Sequence, residues 1–225
     1  MLTLLRISLI ILVLSIPEIA LPAEEKETPK PGLNEATLKG LEWRSIGPAM
    51  TAGRIADIAV NQNDRSTWYV GVGSGGVWKT DNRGTTWTPV FDSEASYSIG
   101  CVTIDPNNPD TVWVGTGENV GGRHVGYGDG IYRSLDGGKS WTNMGLKDSQ
   151  HIGMISVDPR DSDVVYVAAQ GPLWSAGGER GLYKTTDGGK TWQLILSAGE
   201  YTGANEIHLD PRNPDVVFAS THQHF

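Results

Sequence analysis

From residue 41 onward the chain alternates short runs of β-branched and aromatic residues with clusters of Gly, Pro, Asn and Asp. Runs of this kind, bounded by turn formers at regular intervals, are the pattern of strands in an all-β protein. One stretch predicts four strands, over residues 99–104, 111–115, 130–133 and 140–144, and the next predicts four more, over 152–157, 164–168, 181–184 and 191–195. An earlier set begins near Ile55, and a later one supplies 206–209 and 216–219. Residues 42–46 read as one extra strand ahead of the first set.

The sets are copies of one another. Ser134-Leu135-Asp136-Gly137-Gly138-Lys139-Ser140-Trp141 returns as Thr185-Thr186-Asp187-Gly188-Gly189-Lys190-Thr191-Trp192. Thr80-Asp81-Asn82-Arg83-Gly84-Thr85-Thr86-Trp87 fits the same template, Ser/Thr-x-Asp-x-Gly-x-Ser/Thr-Trp, with Asn82 where the others have Asp. The tryptophans lie 54 and 51 residues apart. A second element keeps the same period: Asp105-Pro106, Asp158-Pro159 and Asp210-Pro211 are spaced by 53 and 52 residues, with Asn61 in the equivalent place of the first unit. Each is a turn, because Pro fixes one φ and the Asp side chain bonds the local backbone. Four strands per unit of about 50 residues, in tandem, predict a partial β-propeller of four-stranded antiparallel blades. Three blades are full and the fourth is half present. The unit is too long for WD40 repeats and contains no Trp-Asp dipeptide, and its Trp follows the Gly-Gly pair inside one hairpin turn, unlike kelch repeats.

Over residues 41–225 the three boxes, the Asp-Pro turns and the period resemble the Asp-box, or bacterial neuraminidase repeat, propellers of the sortilin-like and xyloglucanase-like superfamily. Sialidases, sortilin-type receptors, xyloglucan-cleaving glycosidases and photosystem II assembly factors share the box, so the resemblance implies a fold and leaves the function open. The box itself reads as a staple for a turn. The carboxylate of Asp136 or Asp187 accepts bonds from backbone N–H groups and from the hydroxyl of Ser134 or Thr185, Gly138 or Gly189 supplies positive φ, and Trp141 or Trp192 covers the hairpin. Thr80, Asn82, Gly84 and Trp87 form a weaker version, since an amide keeps most of those bonds.

Composition adds location. Arg6, the apolar run over 7–16 and a small-residue site at Ala23 read as a secretory signal over 1–23, and the charged, Pro-containing stretch 24–40 as a flexible leader. An exported chain with a periplasmic, cell-surface or extracellular destination follows, and no later segment has the roughly 20 apolar residues of a membrane helix. The net charge of -8, without a basic stripe, argues against nucleic acid. A lone Cys101 leaves the fold to packing alone, without an intramolecular disulfide. Glycine at 29 of 225 residues fits many tight turns.

Chemistry is sparser. The Asp-Pro turns and boxes share one face of such a propeller, so the loops joining second to third and fourth to first strands share the other. Long loops on a rigid scaffold are where binding residues concentrate. The longest, 116–129, carries Glu118, Asn119, Arg123, His124 and Tyr127, and 170–180 carries Trp174, Glu179 and Arg180. Arg123, His124, Tyr127 and Trp174 are the candidate contacts for a protein or glycan ligand there. Aligning the inner strands by their Asp-Pro turns puts Asp57, Cys101, Met154 and Glu206 in one row. Asp57 and Glu206 are therefore candidate paired carboxylates of a glycosidase, or else polar members of an inner-strand layer.

The catalytic Asp that the resemblance to xyloglucan-cleaving enzymes implies falls on Ala56, and strand alternation turns Asp57 to the other side. The Phe-Arg-Ile-Pro stretch of sialidases is absent. No metal-ligand spacing and no Gly-rich strand-to-helix loop occurs, so neither metal nor cofactor is expected. A protein- or carbohydrate-binding module is the first expectation and a glycoside hydrolase of the Asp-box propeller type the second. The remaining blades are expected from a longer polypeptide, and the chain alone is expected to self-associate through unpaired blade faces.

Overall fold

The computed structural model describes residues 39–40, 53–119 and 125–223. The signal segment, the extra strand over 42–46 and all but two residues of the leader lie outside them. Lys39 and Gly40 form an exposed turn. The chain divides between Ser45 and Ile46, and every strand belongs to the second unit.

Fourteen strands follow in order among the described residues. The first blade comprises β1 (Ile55–Val60), β2 (Trp68–Val72), β3 (Gly76–Thr80) and β4 (Thr88–Pro89). The second comprises β5 (Ile99–Ile104), β6 (Val112–Thr116), β7 (Ile131–Ser134) and β8 (Thr142–Asn143). A 3-10 turn at Lys147–Ser149 leads to the third blade, β9 (Ile152–Asp158), β10 (Asp161–Ala169), β11 (Gly181–Thr185) and β12 (Gln193–Leu196). The last pair is β13 (Thr202–Asp210) and β14 (Asn213–Gln223). Within each blade sequential neighbours pair antiparallel, so three sheets have four strands and the fourth has two. The inner strands β1, β5, β9 and β13 stand side by side, each touching the next. This is an arc of propeller blades.

Two details depart from the sequence pattern. The outermost strands β4 and β8 contract to two residues each. An outermost strand pairs on one side only, and short edge strands limit the exposed ladder. The last hairpin is longer than its apolar core, pairing from Thr202↔Gln223 to Asp210↔Asn213, because ladder bonds continue through its polar residues.

A third feature was invisible in the sequence. Every inner strand carries one extra residue against its partner: Ala56, Gly100, Gly153 and Asn205 each interrupt the pairing register. These are β-bulges at one repeated position, and they break strict side-chain alternation. The alternation that turned Asp57 away from Ala56 therefore does not hold across this strand. Glycine suits the bulge because neighbouring inner strands nearly touch: a Cβ at Gly100 would lie 2.2 Å from Ile152 O.

The core sits between blades rather than within them. Tyr69, Val77 and Phe91 of the first blade pack with Ile99, Val102, Val114 and Tyr132 of the second. Cys101, Trp113 and Ile131 pack with Ile152, Ile155, Val165 and Val167 of the third. Tyr166, Ala168 and Leu182 pack with Ala204 and Ile207 of the last pair. A strand such as β6, covered on both faces by its neighbours, is buried along its whole length and reads as a continuous apolar run.

Candidate functional site

The boxes are turns whose polar groups are engaged locally. In the second box Ser134 Oγ donates to Asp136 Oδ1 (2.8 Å) and accepts from Gly138 N (2.8 Å). Asp136 Oδ1 accepts from Lys139 N and Ser140 N (both 2.9 Å), and Oδ2 from Ser140 Oγ (2.6 Å). Thr185, Asp187 and Thr191 repeat this geometry. In the first box Asn82 Oδ1 accepts from Thr80 Oγ1 and Thr86 N, both 2.9 Å, while its amide donates to Thr86 Oγ1 at 2.8 Å. Gly84, Gly138 and Gly189 hold φ of 84°, 86° and 87°. The Ser140 hydroxyl and backbone bonds hold the Asp136 carboxyl well below the usual carboxylate range, and the Thr185 and Thr191 hydroxyls do the same for Asp187.

The second and third boxes are also pinned to the blade before them. Trp141 Nε1 donates to Val90 O (2.6 Å) and Trp192 Nε1 to Met144 O (2.8 Å), so these half-buried indoles seal the seam between blades. In the reverse direction Lys79 Nζ donates to Gly137 O (3.2 Å) and Arg133 Nη1 to Gly188 O (2.6 Å). Both cations lie 5.5 Å above an aromatic ring of their own blade, Tyr69 and Trp113. Trp87 is more exposed and rests against Trp68. A groove of about 520 Å³ opens beside the second box, lined by Lys79, Asp81, Glu94, Lys139 and Trp141 among others. Its cations alternate with acids, Lys79 pairing with Asp81 at 3.4 Å, and its indole N–H already has a partner.

The opposite face gathers polar groups from all four sheets. Arg54, just before β1, donates from Nε (2.7 Å) and places Nη2 2.6 Å from the same Oε1 of Glu118, just after β6. Glu118 is buried, its carboxylate lying against Gly73, where a Cβ would be 2.4 Å from Oε1. Its main-chain oxygen is 2.8 Å from Nδ1 of His151, the residue before β9. A carbonyl only accepts, so Nδ1 carries the proton and Nε2 holds the lone pair of the neutral ring. Burial pushes the His151 pKa down, which keeps it in that form. Nε2 is itself buried without a partner among the described residues.

Asn119 Nδ2 continues the string to Gly153 O (3.0 Å). Buried Gln170, after β10, donates from Nε2 to Asn119 O (3.3 Å) and to Asn205 Oδ1 on the last inner strand. The string runs Arg54, Glu118, His151, Asn119, Gln170, Asn205. Tyr127 stands over it, edge-on to His151 with ring centroids 5.6 Å apart, and Trp174 projects from the 170–180 loop; both aromatics are well exposed. Arg180 is no surface group: it is buried, and its guanidinium donates to the carbonyls of Pro172, Ser175 and Gly177, which shapes the Trp174 loop.

Of the residues picked from sequence, Tyr127 and Trp174 are on this face, and Arg123 and His124 lie outside the described residues. Asp57 and Glu206 serve different neighbours. Asp57 accepts from Val102 N (3.0 Å) and from Ile58 N (2.8 Å), while Glu206 is exposed, 4.0 Å from His208 on its own strand. Asp57 belongs to a link that recurs in the third blade, where Met154 Sδ, the side chain after the bulge there, accepts from Ile207 N of the next inner strand at 3.4 Å. Sequence reasoning passed over Arg54, His151 and Gln170. Their signal was position, since each flanks a strand end on the loop face. No group of three or more His, Cys, Asp and Glu able to hold a metal occurs among the described residues.

No family model matches the chain. Among curated proteins it is similar to xyloglucanase Xgh74A of Acetivibrio thermocellus, 24% identical over 169 residues that cover 69% of this chain and 19% of that protein. It is likewise 25% identical over 183 residues to the xyloglucanase of Hypocrea jecorina, covering 75% of this chain and 20% of that one. The chain thus spans about a fifth of the length of these relatives. An ancestral GH74 enzyme superposes with a TM-score of 0.60 at 22% identity, over 76% of this chain and 22% of that one. The GH74 xyloglucanase from Xanthomonas campestris gives 0.57 at 23%, over 76% and 27%. At these identities the likeness establishes architecture: the chain is part of an all-β propeller.

Proposed function

We propose that this chain is part of a glycoside hydrolase-type propeller that takes a glycan across the face bearing Tyr127 and Trp174. The observation that carries this reading is the match to xyloglucanases over most of the chain. The physical chemistry of the face agrees. Tyr127 and Trp174 offer flat apolar surfaces for the C–H faces of sugar rings, with a polar tip on each. The half-exposed Arg54 guanidinium, anchored by buried Glu118, offers N–H donors for hydroxyls. On this reading the Asp-boxes are turn staples of a sortilin-like scaffold, and residues 1–23 export the protein.

A binding module without hydrolysis draws on one specific observation: Ala56 stands where xyloglucan-cleaving relatives are expected to carry their acid, and both carboxylate oxygens of neighbouring Asp57 already accept backbone N–H groups. Calorimetric titration with xyloglucan oligosaccharides, paired with an assay for new reducing ends, separates the two. Saturable binding that weakens about tenfold in Trp174→Ala or Tyr127→Ala, the size of losing one well-packed aromatic contact, is the expected result. Binding with no reducing ends returns the protein to the binding class. Absence of binding to xyloglucan and to other β-glucans overturns the proposal.

A further inference from the structure

The repeat allows each Asp-Pro turn to be compared with its equivalents, and the one at Asp105 stands out. In the third unit Asp158 Oδ1 accepts from Arg160 N and Nε, both at 2.9 Å, and Oδ2 accepts from Arg160 Nη2 at 2.7 Å. Arg212 grips Asp210 in the same way. In the second unit Asn107 stands where these arginines do. Its main-chain N donates to Asp105 Oδ1 at 2.8 Å, but its amide turns away to Asp158 O at 3.0 Å. Asp105 is 1% exposed, and its Oδ2 is buried without a hydrogen-bond partner among the described residues. No ion pair reaches it there either.

Asp105 also borders a cavity of about 80 Å³ between its own turn and the equivalent turn of the first unit, lined by Asn61, Gln62, Asn63, Pro106 and Pro109 among others. The later seams between turns are bridged by side chains, Asn107 to Asp158 O and Arg160 Nη2 to Asp215 Oδ1 at 2.7 Å. No hydrogen bond crosses this first seam among the described residues: Gln62 Nε2 turns back to Val60 O, and Asn61 Oδ1 accepts from Asn63 N and Asp64 N of its own turn. The space equals two or three waters at about 30 Å³ each, enough for an ion with part of its shell. Its amide-rich lining offers the oxygen ligands that hard cations take.

We propose that Asp105 and the cavity beside the first turn bind a small monovalent cation, which supplies the positive charge that Arg160 and Arg212 supply in the later units. A buried carboxylate without a counter-charge is costly, and a neutral water satisfies its hydrogen bond without matching its charge. One carboxylate calls for one positive charge. No group of three or more His, Cys, Asp and Glu gathers anywhere among the described residues to hold a more highly charged metal. An inorganic ion and the guanidinium head of an arginine-type ligand share this chemistry. Tetraalkylammonium ions share only the charge, being too bulky for the cavity and lacking N–H donors.

The test melts the chain in chloride salts at one ionic strength, with tetraethylammonium replaced stepwise by sodium, potassium or guanidinium at sub-denaturing concentrations. The melting temperature is expected to rise saturably with at least one of the small cations, as a ligand held only by the folded state requires. A rise with sodium or potassium identifies an inorganic ion, and a rise with guanidinium alone identifies an arginine-type head group. Asp105→Asn is expected to remove the rise. Asn107→Arg, which copies Arg160 beside Asp158, is expected to remove it with Asp105 still in place. Equal melting temperatures in all the salts, or a rise that persists in Asn107→Arg, overturns the proposal.

Discussion

Asp57 Oδ2 of the first blade accepts the backbone N–H of Val102 in the second, at 3.0 Å. Val102 is buried, so its donor has no water to turn to when the carboxylate is removed. Asp57→Ala should lower stability by about 1–3 kcal/mol, the cost of an orphaned buried donor. Asp57→Asn keeps an acceptor and should recover most of that loss. Urea midpoints of the three proteins check the order, and equal midpoints for Ala and Asn would mean the bond contributes nothing.

The tryptophans of the boxes are not equivalent. Trp192 donates to Met144 O across a blade seam, and Trp87 rests half in solvent against Trp68. Trp192→Phe retains the ring and loses the donor, so about 1 kcal/mol should disappear from the unfolding free energy, with Met144 O left unpaired. Trp87→Phe should change it by no more than about 0.5 kcal/mol, as surface substitutions do. Chemical denaturation of the two variants reads the difference directly.

Much of this architecture was legible before any coordinates, because the fold is a repeat and a repeat announces its own period. The spacing of Trp87, Trp141 and Trp192 and of the Asp-Pro turns placed the strands of the second and third blades, and the start of the first, within a few residues. The bulges at Ala56, Gly100, Gly153 and Asn205 were not legible, since an extra residue in a strand leaves no mark in a hydrophobic pattern. Nor were the links between blades, such as Lys79 to Gly137, whose partners lie a full period apart. The loop face was read from length and residue type, which put forward Tyr127 and Trp174, and both are exposed. Those criteria passed over His151 and Arg54, which sit next to strands, the first bonded to the main-chain oxygen of Glu118 and the second to its carboxylate.

The box carboxylates should govern acid stability. Asp136 and Asp187 are held below the usual carboxylate range in the folded protein by the hydroxyl and N–H groups around them. A group depressed on folding contributes its full stabilisation above its unfolded pKa, about 3.9 for Asp, and loses it as pH falls through the folded value. Asp136→Asn with Asp187→Asn, which copies the first box with its Asn82, should therefore flatten the decline in melting temperature below about pH 4 while leaving its slope near pH 7 unchanged. An equally steep acid decline in the double variant would place the sensitivity elsewhere.

Whether the Tyr127 and Trp174 face takes the glycan is most directly tested by hydrogen-exchange mass spectrometry with and without xyloglucan oligosaccharides. Slowed exchange is expected over residues 116–119, 125–130 and 170–180, with the boxes over 80–87, 134–141 and 185–192 unchanged. Protection confined to the boxes, or bound oligosaccharide without protection of the loop face, would contradict it.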